Sequence, residues 1–235
     1  MNRNSVLILI SLLFGIVSLL FVWLMGRNGA DIAFVASDED GIVESLSAIF
    51  YLIALIVSFY SIFKTDNAAM SIVWAILCFL FLGEETSWFQ RLFNYSVPFV
   101  EKVNVQNEFN IHNLNIFHGG GLRNSSIELS VLMKSHSLFR LGFFGYFFIV
   151  PLLFHIQKIR GLMLKIGYRK PDNSFIFSLS IVFVLAILIT LFCQESVRKP
   201  LAETREMLYA LFIMIYIIIY IKPNKKIQLT SCVSD

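Results

Sequence analysis

The amino-acid sequence predicts an all-α integral membrane protein: a bundle of about six transmembrane helices with a structured outer-face segment between the third and fourth. Three observations carry that expectation. The residues are 57% hydrophobic and only 15% charged, against about 25% charged in an ordinary soluble domain. Six apolar stretches approach the roughly 20 residues that cross a bilayer, and lipid obliges such a stretch to satisfy its backbone hydrogen bonds as a helix. The carboxylates, amides and histidines gather at one set of ends of these stretches.

The stretches are taken in order, within a single domain of 1–235. The first, 5–25, follows a short start carrying Arg3. It is longer than a signal-peptide core of about 7–15 residues and no A-x-A-like site follows, so it reads as a retained helix. The second, 42–63, opens behind Asp38, Glu39 and Asp40, acids that suit a helix N-terminus. The third, 68–85, and the sixth, 203–221, have short apolar cores and gain length by running into polar flanks. Continued past residue 85, the third helix places Glu84, Trp88 and Arg91 on one face, with Ser87 beside Arg91. Pro200 suits the start of the last helix because it lacks an N–H and presets φ. The fourth and fifth stretches are 139–156 and 174–193.

Orientation follows from Lys and Arg in short loops. Between His155 and Pro171 stand Lys158, Arg160, Lys165, Arg169 and Lys170 with no acid, so this loop is expected on the cytoplasmic side. Lys64 and the lysines after residue 221 join it there. Both termini are then cytoplasmic in a bacterial inner membrane. The outer-face segment, 86–138, is too long for a simple connector. Its apolar residues argue for short helices on the outer surface, and Ser125-Ser126-Ile127-Glu128 resembles a capping box.

Composition also excludes classes. A net charge of +3 without a basic, aromatic-interleaved stripe gives no case for nucleic acid. Cys78, Cys193 and Cys232 form neither a disulfide framework nor a C-x-x-C pair. His118-Gly119-Gly120-Gly121 is similar to an oxyanion loop, but no G-x-S-x-G nucleophile elbow accompanies it.

Candidate chemistry lies in four places. Glu44 stands above Ser47, Tyr51 and Ser58 in a polar stripe at helical spacing. Glu84 and Glu85 end the third stretch, followed by Trp88, Gln90 and Arg91. Asn104, Gln106, Glu108, Asn110 and His112 alternate, with Asn113 next. They share a face if extended, and Asn104, Glu108 and His112 align if helical. Glu195, then Glu203 and Glu206 one turn apart, bring carboxylates to the same side, with Arg198 and Arg205 nearby. An intramembrane ionisable group is a functional candidate by default.

These clusters resemble a pattern from bacterial multi-pass membrane proteins of unassigned function: E-D-G-x-x-E, G-E-E-x-S-W-x-Q-R and N-x-Q-x-E-x-N-x-H-N. Their counterparts are Glu39-Asp40-Gly41 with Glu44, Gly83 through Arg91, and Asn104 through Asn113. The chain departs from the pattern at Phe89, where Gly is usual. The resemblance implies a related architecture and brings no activity with it. The paired Glu84-Glu85 is also similar to the E-E-x-x-x-R motif of CAAX-type intramembrane proteases. Arg91, however, stands six residues after Glu85 in place of four, and the F-x-x-x-H helix of that family is missing.

The expectation is a membrane-embedded hydrolase or transferase acting on a lipid or lipid-linked substrate at the outer leaflet. Glu84, Glu85, Glu108 and His112 form its reacting core, with a divalent metal held by Glu85, Glu108 and His112 as candidate cofactor. Glu44, Trp88, Gln90, Arg91, Asn104, Gln106, Asn110, Asn113 and Glu195 orient groups or bind substrate. The alternative is a non-catalytic sensor, immunity or assembly protein whose outer loop binds a partner and whose carboxylates hold helices in register.

Overall fold

The computed structural model describes residues 2–28, 41–65, 67–93, 95–102 and 135–221. Every regular element among them is helical. In chain order these are α1 (Arg3–Arg27), α2 (Ile42–Ile62), α3 (Ala69–Glu85), a three-residue turn (Ser87–Phe89), and the single-turn helices α4 (Gln90–Phe93) and α5 (Pro98–Glu101). Then come α6 (Ser135–Phe144), a π-helical segment π1 (Gly145–Ile149), α7 (Val150–Leu153), α8 (Gln157–Lys165), α9 (Asn173–Phe192), α10 (Glu195–Tyr216) and a second π segment π2 (Ile217–Ile221).

Four helices are long and apolar enough to cross a membrane: α1, α2, α9 and the continuous Glu195–Ile221 rod. The expectation of six is met for these four. The 17-residue α3 and the Ser137–Leu153 rod are each about 26 Å long at 1.5 Å per residue. That is short of a hydrocarbon core of about 30 Å. The last helix also begins at Glu195, ahead of Pro200, which sits inside it. Its early charges therefore ride on helical turns and not on a loop; only Cys193 and Gln194 separate α9 from α10.

The α10 rod is the axis of the bundle. Of its apolar window 78% is buried, against 28–39% for the other three long helices, whose outward faces carry Leu13, Val17, Ile56, Phe177 and Leu191 to the surroundings. Aromatic rings fill the space beside it: Tyr209 stacks on Phe183 at 4.7 Å and meets Phe143 at 4.6 Å. Lipid is as apolar as a protein interior, so close backbone approach and packing, more than exclusion from water, hold such helices together. On α1 the buried stripe is Ile8, Ser11, Gly15, Leu19 and Val22. A Cβ at Gly15 would lie 2.9 Å from Val182 Cγ2 of α9. Gly15→Leu is expected to push α1 off α9 and destabilise the protein by about 1–3 kcal/mol, read as a lowered melting midpoint in detergent.

Polar side chains lock one end of the bundle. Trp74 Nε1 donates to the Tyr146 hydroxyl at 3.2 Å, Tyr146 and Tyr216 share a 2.8 Å hydrogen bond, and Tyr216 donates to the Arg169 carbonyl at 2.7 Å. The Tyr216 proton is committed to that carbonyl, so Tyr146 is the donor to Tyr216. Asn67 Nδ2 donates to the Lys165 carbonyl at 2.7 Å. The α2–α3 connection and the basic loop after α8 therefore lie at the same end.

Asp172 caps α9 there, accepting from Phe175 N–H at 2.9 Å and from the Ser174 hydroxyl at 2.7 Å. Partial burial alone would raise its pKa. The bonds from Phe175, Ser174 and Tyr220 outweigh that and hold it below the ordinary Asp value. Its carboxylate thus stabilises the fold fully above the unfolded-state pKa, and the contribution is lost as pH falls through the lower folded value. Asp172→Ala should cost about 1 kcal/mol at neutral pH and nothing at the acid extreme, checked by thermal melts between pH 7 and 3.

Candidate functional site

The opposite end holds the acids, and the end of α3 shows how the chain places them. The span bounded at residue 85 in the sequence ends there as a helix. The further continuation that would align Glu84, Trp88 and Arg91 does not occur: the chain turns through Ser87, Trp88 and Phe89, with φ of 45°, 52° and 62°. Left-handed backbone costs about 1–2 kcal/mol per L-residue, and three in succession need outside support. Trp88 supplies it. Its indole folds back over Gly83, where a Cβ would come within 2.9 Å of the ring. Its Nε1 donates to Glu84 Oε1 at 2.7 Å and its carbonyl accepts from Tyr95 at 2.8 Å. Phe79 packs edge-on against the same ring. Glu84 and Trp88 do meet, as the spacing implies, but across a reversal and not along a helix face. The side chain of Arg91 lies outside the described residues. Phe89, where the resembling pattern carries Gly, occupies a backbone conformation that Gly adopts freely.

Glu85 is the focus of the arrangement. The carboxyls of Glu206, Glu44, Glu203 and Glu84 all act on it electrostatically. They come from three helices: Glu44 from the first turn of α2, Glu84 from α3, and Glu203 and Glu206 from α10. Tyr51, 3% exposed, lies in the electrostatic field of Glu85, Cys78, Glu206 and Tyr209. Two guanidiniums border the group. Arg205 acts on Arg140, Tyr209 and Glu206, and Tyr209 is in turn within range of both arginines. Arg140, midway along α6, is exposed; Arg205 is half-buried.

The α2 stripe read from the sequence is real and faces inward. Val43, Ser47, Tyr51, Ala54, Ser58 and Ser61 are its buried residues, turned toward α3 and α10. Ser47 and Ser61 donate to carbonyls one turn back, at 3.3 and 2.7 Å. Ser58 Oγ is fully buried and has no hydrogen-bond partner among the described residues.

The expected constellation is thus brought together in part. Glu44, Glu84 and Glu85 converge. Trp88 serves the turn, and Gln90 opens α4 just beyond it. Glu195 is exposed at the start of α10. Asn104, Gln106, Glu108, Asn110, His112 and Asn113 lie outside the described residues, as does the capping box at Ser125. Among the described residues no three His, Cys, Asp or Glu side chains are close enough to hold a metal ion. The glutamates therefore share a field without forming a coordination shell of their own.

Sequence reasoning did not assign Glu203 and Glu206 to the site, although their spacing and side were noted. It passed over Arg140 and Tyr209. The available signal for Tyr209 was its place one turn beyond Arg205 and Glu206. For Arg140, only its being a lone cation at the edge of an apolar stretch could have pointed to it.

No protein-family model, curated protein or solved structure matches the chain. The motif resemblance therefore brings no family assignment, and function rests on the geometry alone.

Proposed function

We propose that this is a multi-pass membrane protein whose acid-rich end is a site for acid/base hydrolysis or group transfer on a lipid-linked, phosphate-bearing substrate. The observation that carries the reading is the convergence on Glu85 of carboxyls from α2, α3 and α10, beside the Arg140–Arg205 pair. Like charges gathered at a bundle end repel by about 2–3 kcal/mol per close pair at an effective dielectric constant near 20. Such groups are relieved by proton sharing, by a cation or by an opposite charge. Two guanidiniums held near each other invite an anion, and planar N–H donors suit phosphate oxygens. In this reading Glu85, with Glu206 and Glu44 beside it, moves the proton. Arg140 and Arg205 hold the phosphate, and Glu84 positions Trp88.

A substrate anchored in lipid would enter laterally, which fits a site at the membrane boundary. Glu108 and His112 remain proposed contributors from the outer-face segment, with a divalent metal if they approach Glu85. The topology that goes with this reading has six crossings of a bacterial inner membrane, α3 and Ser137–Leu153 included, with both termini cytoplasmic. The shared end of the Asn67 and Lys165 loops supports it.

The test compares lipid extracts, by mass spectrometry, from cells producing the wild-type chain and Glu85→Gln. A lipid-linked species whose abundance changes only with the wild type supports the reading; identical profiles at equal expression overturn it. The assembly alternative has one observation in its favour: Glu84 is spent on an internal bond to Trp88.

A further inference from the structure

Helix α8, at the end of the bundle away from the carboxyls, is unlike every other helix longer than one turn among the described residues. None of its residues is buried. Ile156, at φ −84° and ψ 112°, breaks it from α7, and Gly167 at φ 79° turns the chain back after it. Its apolar residues Ile159, Leu162, Met163 and Ile166 recur at i, i+3, i+4 and i+7, one continuous stripe. Met163 at one edge of that stripe packs against the core. At the other edge Leu162 is 58% and Ile166 39% exposed.

Lys158, Arg160 and Lys165 flank the stripe, and Arg169 and Lys170 follow; all five are exposed. No acid interrupts them between His155 and Pro171. The segment is anchored, since the Lys165 carbonyl is held by Asn67 and the Arg169 carbonyl by Tyr216. A short helix with an open apolar edge between cations, fixed at the end of a membrane-crossing bundle, has the form of an interfacial helix. Its apolar edge enters the headgroup–acyl boundary while its cations stay at the phosphates.

We propose that α8 with Arg169 and Lys170 is a docking surface for anionic phospholipid in the leaflet at this end of the bundle. Charge complementarity selects the occupant: exposed cations in an unbroken row attract anionic headgroups within a Debye length of the surface. This does not depend on the chemistry proposed around Glu85.

The test uses the full chain in nanodiscs, as wild type and as L162W, which adds an indole at the open edge. The lipids are brominated phosphatidylglycerol or brominated phosphatidylcholine at equal mole fraction. The quenching of the added indole, taken as the difference from wild type, should be at least about twofold greater with the anionic lipid. It should weaken toward parity at high salt. In the K158Q/R160Q/K165Q/R169Q/K170Q background, altered only at exposed positions, the preference should fall to parity while quenching by both lipids persists. Equal quenching by the two lipids in L162W, no quenching by either, or a preference that survives the combined substitution would each overturn the proposal.

Discussion

Gly83→Val is expected to destabilise the protein by about 3 kcal/mol and to move Trp88 into water. A Cβ at this position would meet the indole face at 2.9–3.0 Å, and the ring cannot slide away. Its N–H is held by Glu84 and its backbone by Tyr95. Breaking the charge-assisted bond to Glu84 alone costs about 1.5–3 kcal/mol. With the indole displaced, the left-handed turn at Ser87, Trp88 and Phe89 loses the contacts that offset its strain. The checks are a lower melting midpoint and a red shift in tryptophan emission. A double-mutant cycle sharpens the result: in a Trp88→Ala background Gly83→Val should cost less than about 1 kcal/mol, giving a large coupling term. Full additivity would show that the two residues do not depend on each other.

Phe212→Ala on α10 should cost about 2–3 kcal/mol. Phe212 is fully buried and packs against Phe175 at 5.8 Å and Phe183 at 6.2 Å. The same change in an aqueous core costs about 3–5 kcal/mol. Here part of the transfer term is missing because unfolded helices still sit in lipid. What remains is the cavity term, about 24 cal/mol per Å³ over a void of about 100 Å³, together with lost ring contacts. Phe192→Ala is the control. That ring is 84% exposed, and its loss should leave the melting midpoint of the detergent-solubilised protein unchanged.

The bundle was legible in the sequence because apolar length is a local property. The stretches containing Leu13, Ile56 and Leu188 declare themselves without knowledge of their neighbours. The reversal after Glu85 was not legible. Thr86-Ser87-Trp88-Phe89 has neither Pro nor Gly, and helical spacing carries straight through it. Only the contact of Trp88 with Gly83, a tertiary event, makes the left-handed turn affordable. The early start of α10 was missed for a related reason. Pro200 marks a helix start when read locally, yet as the sixth residue of α10 it gives up one intrahelical bond, to the Ser196 carbonyl, and the helix still extends one turn ahead of it.

The convergence of carboxyls proposed as the site was half legible. Glu44 and Glu85 were found because carboxyls at the ends of apolar stretches are costly wherever they point. Their meeting with Glu203 and Glu206 depends on α10 lying at the centre of the bundle. That position follows from how α1, α2 and α9 wrap it, which periodicity within one helix does not encode.

The melting midpoint of Glu85→Gln, in detergent at neutral pH, tests the central claim most directly. If the acids around Glu85 are kept for chemistry, replacing one by its neutral isostere removes repulsion and desolvation. The variant then melts at or above the wild-type temperature, as stability traded for activity implies. If they are the mortar of the bundle, a midpoint lower by about 4 °C or more would show it and contradict the account.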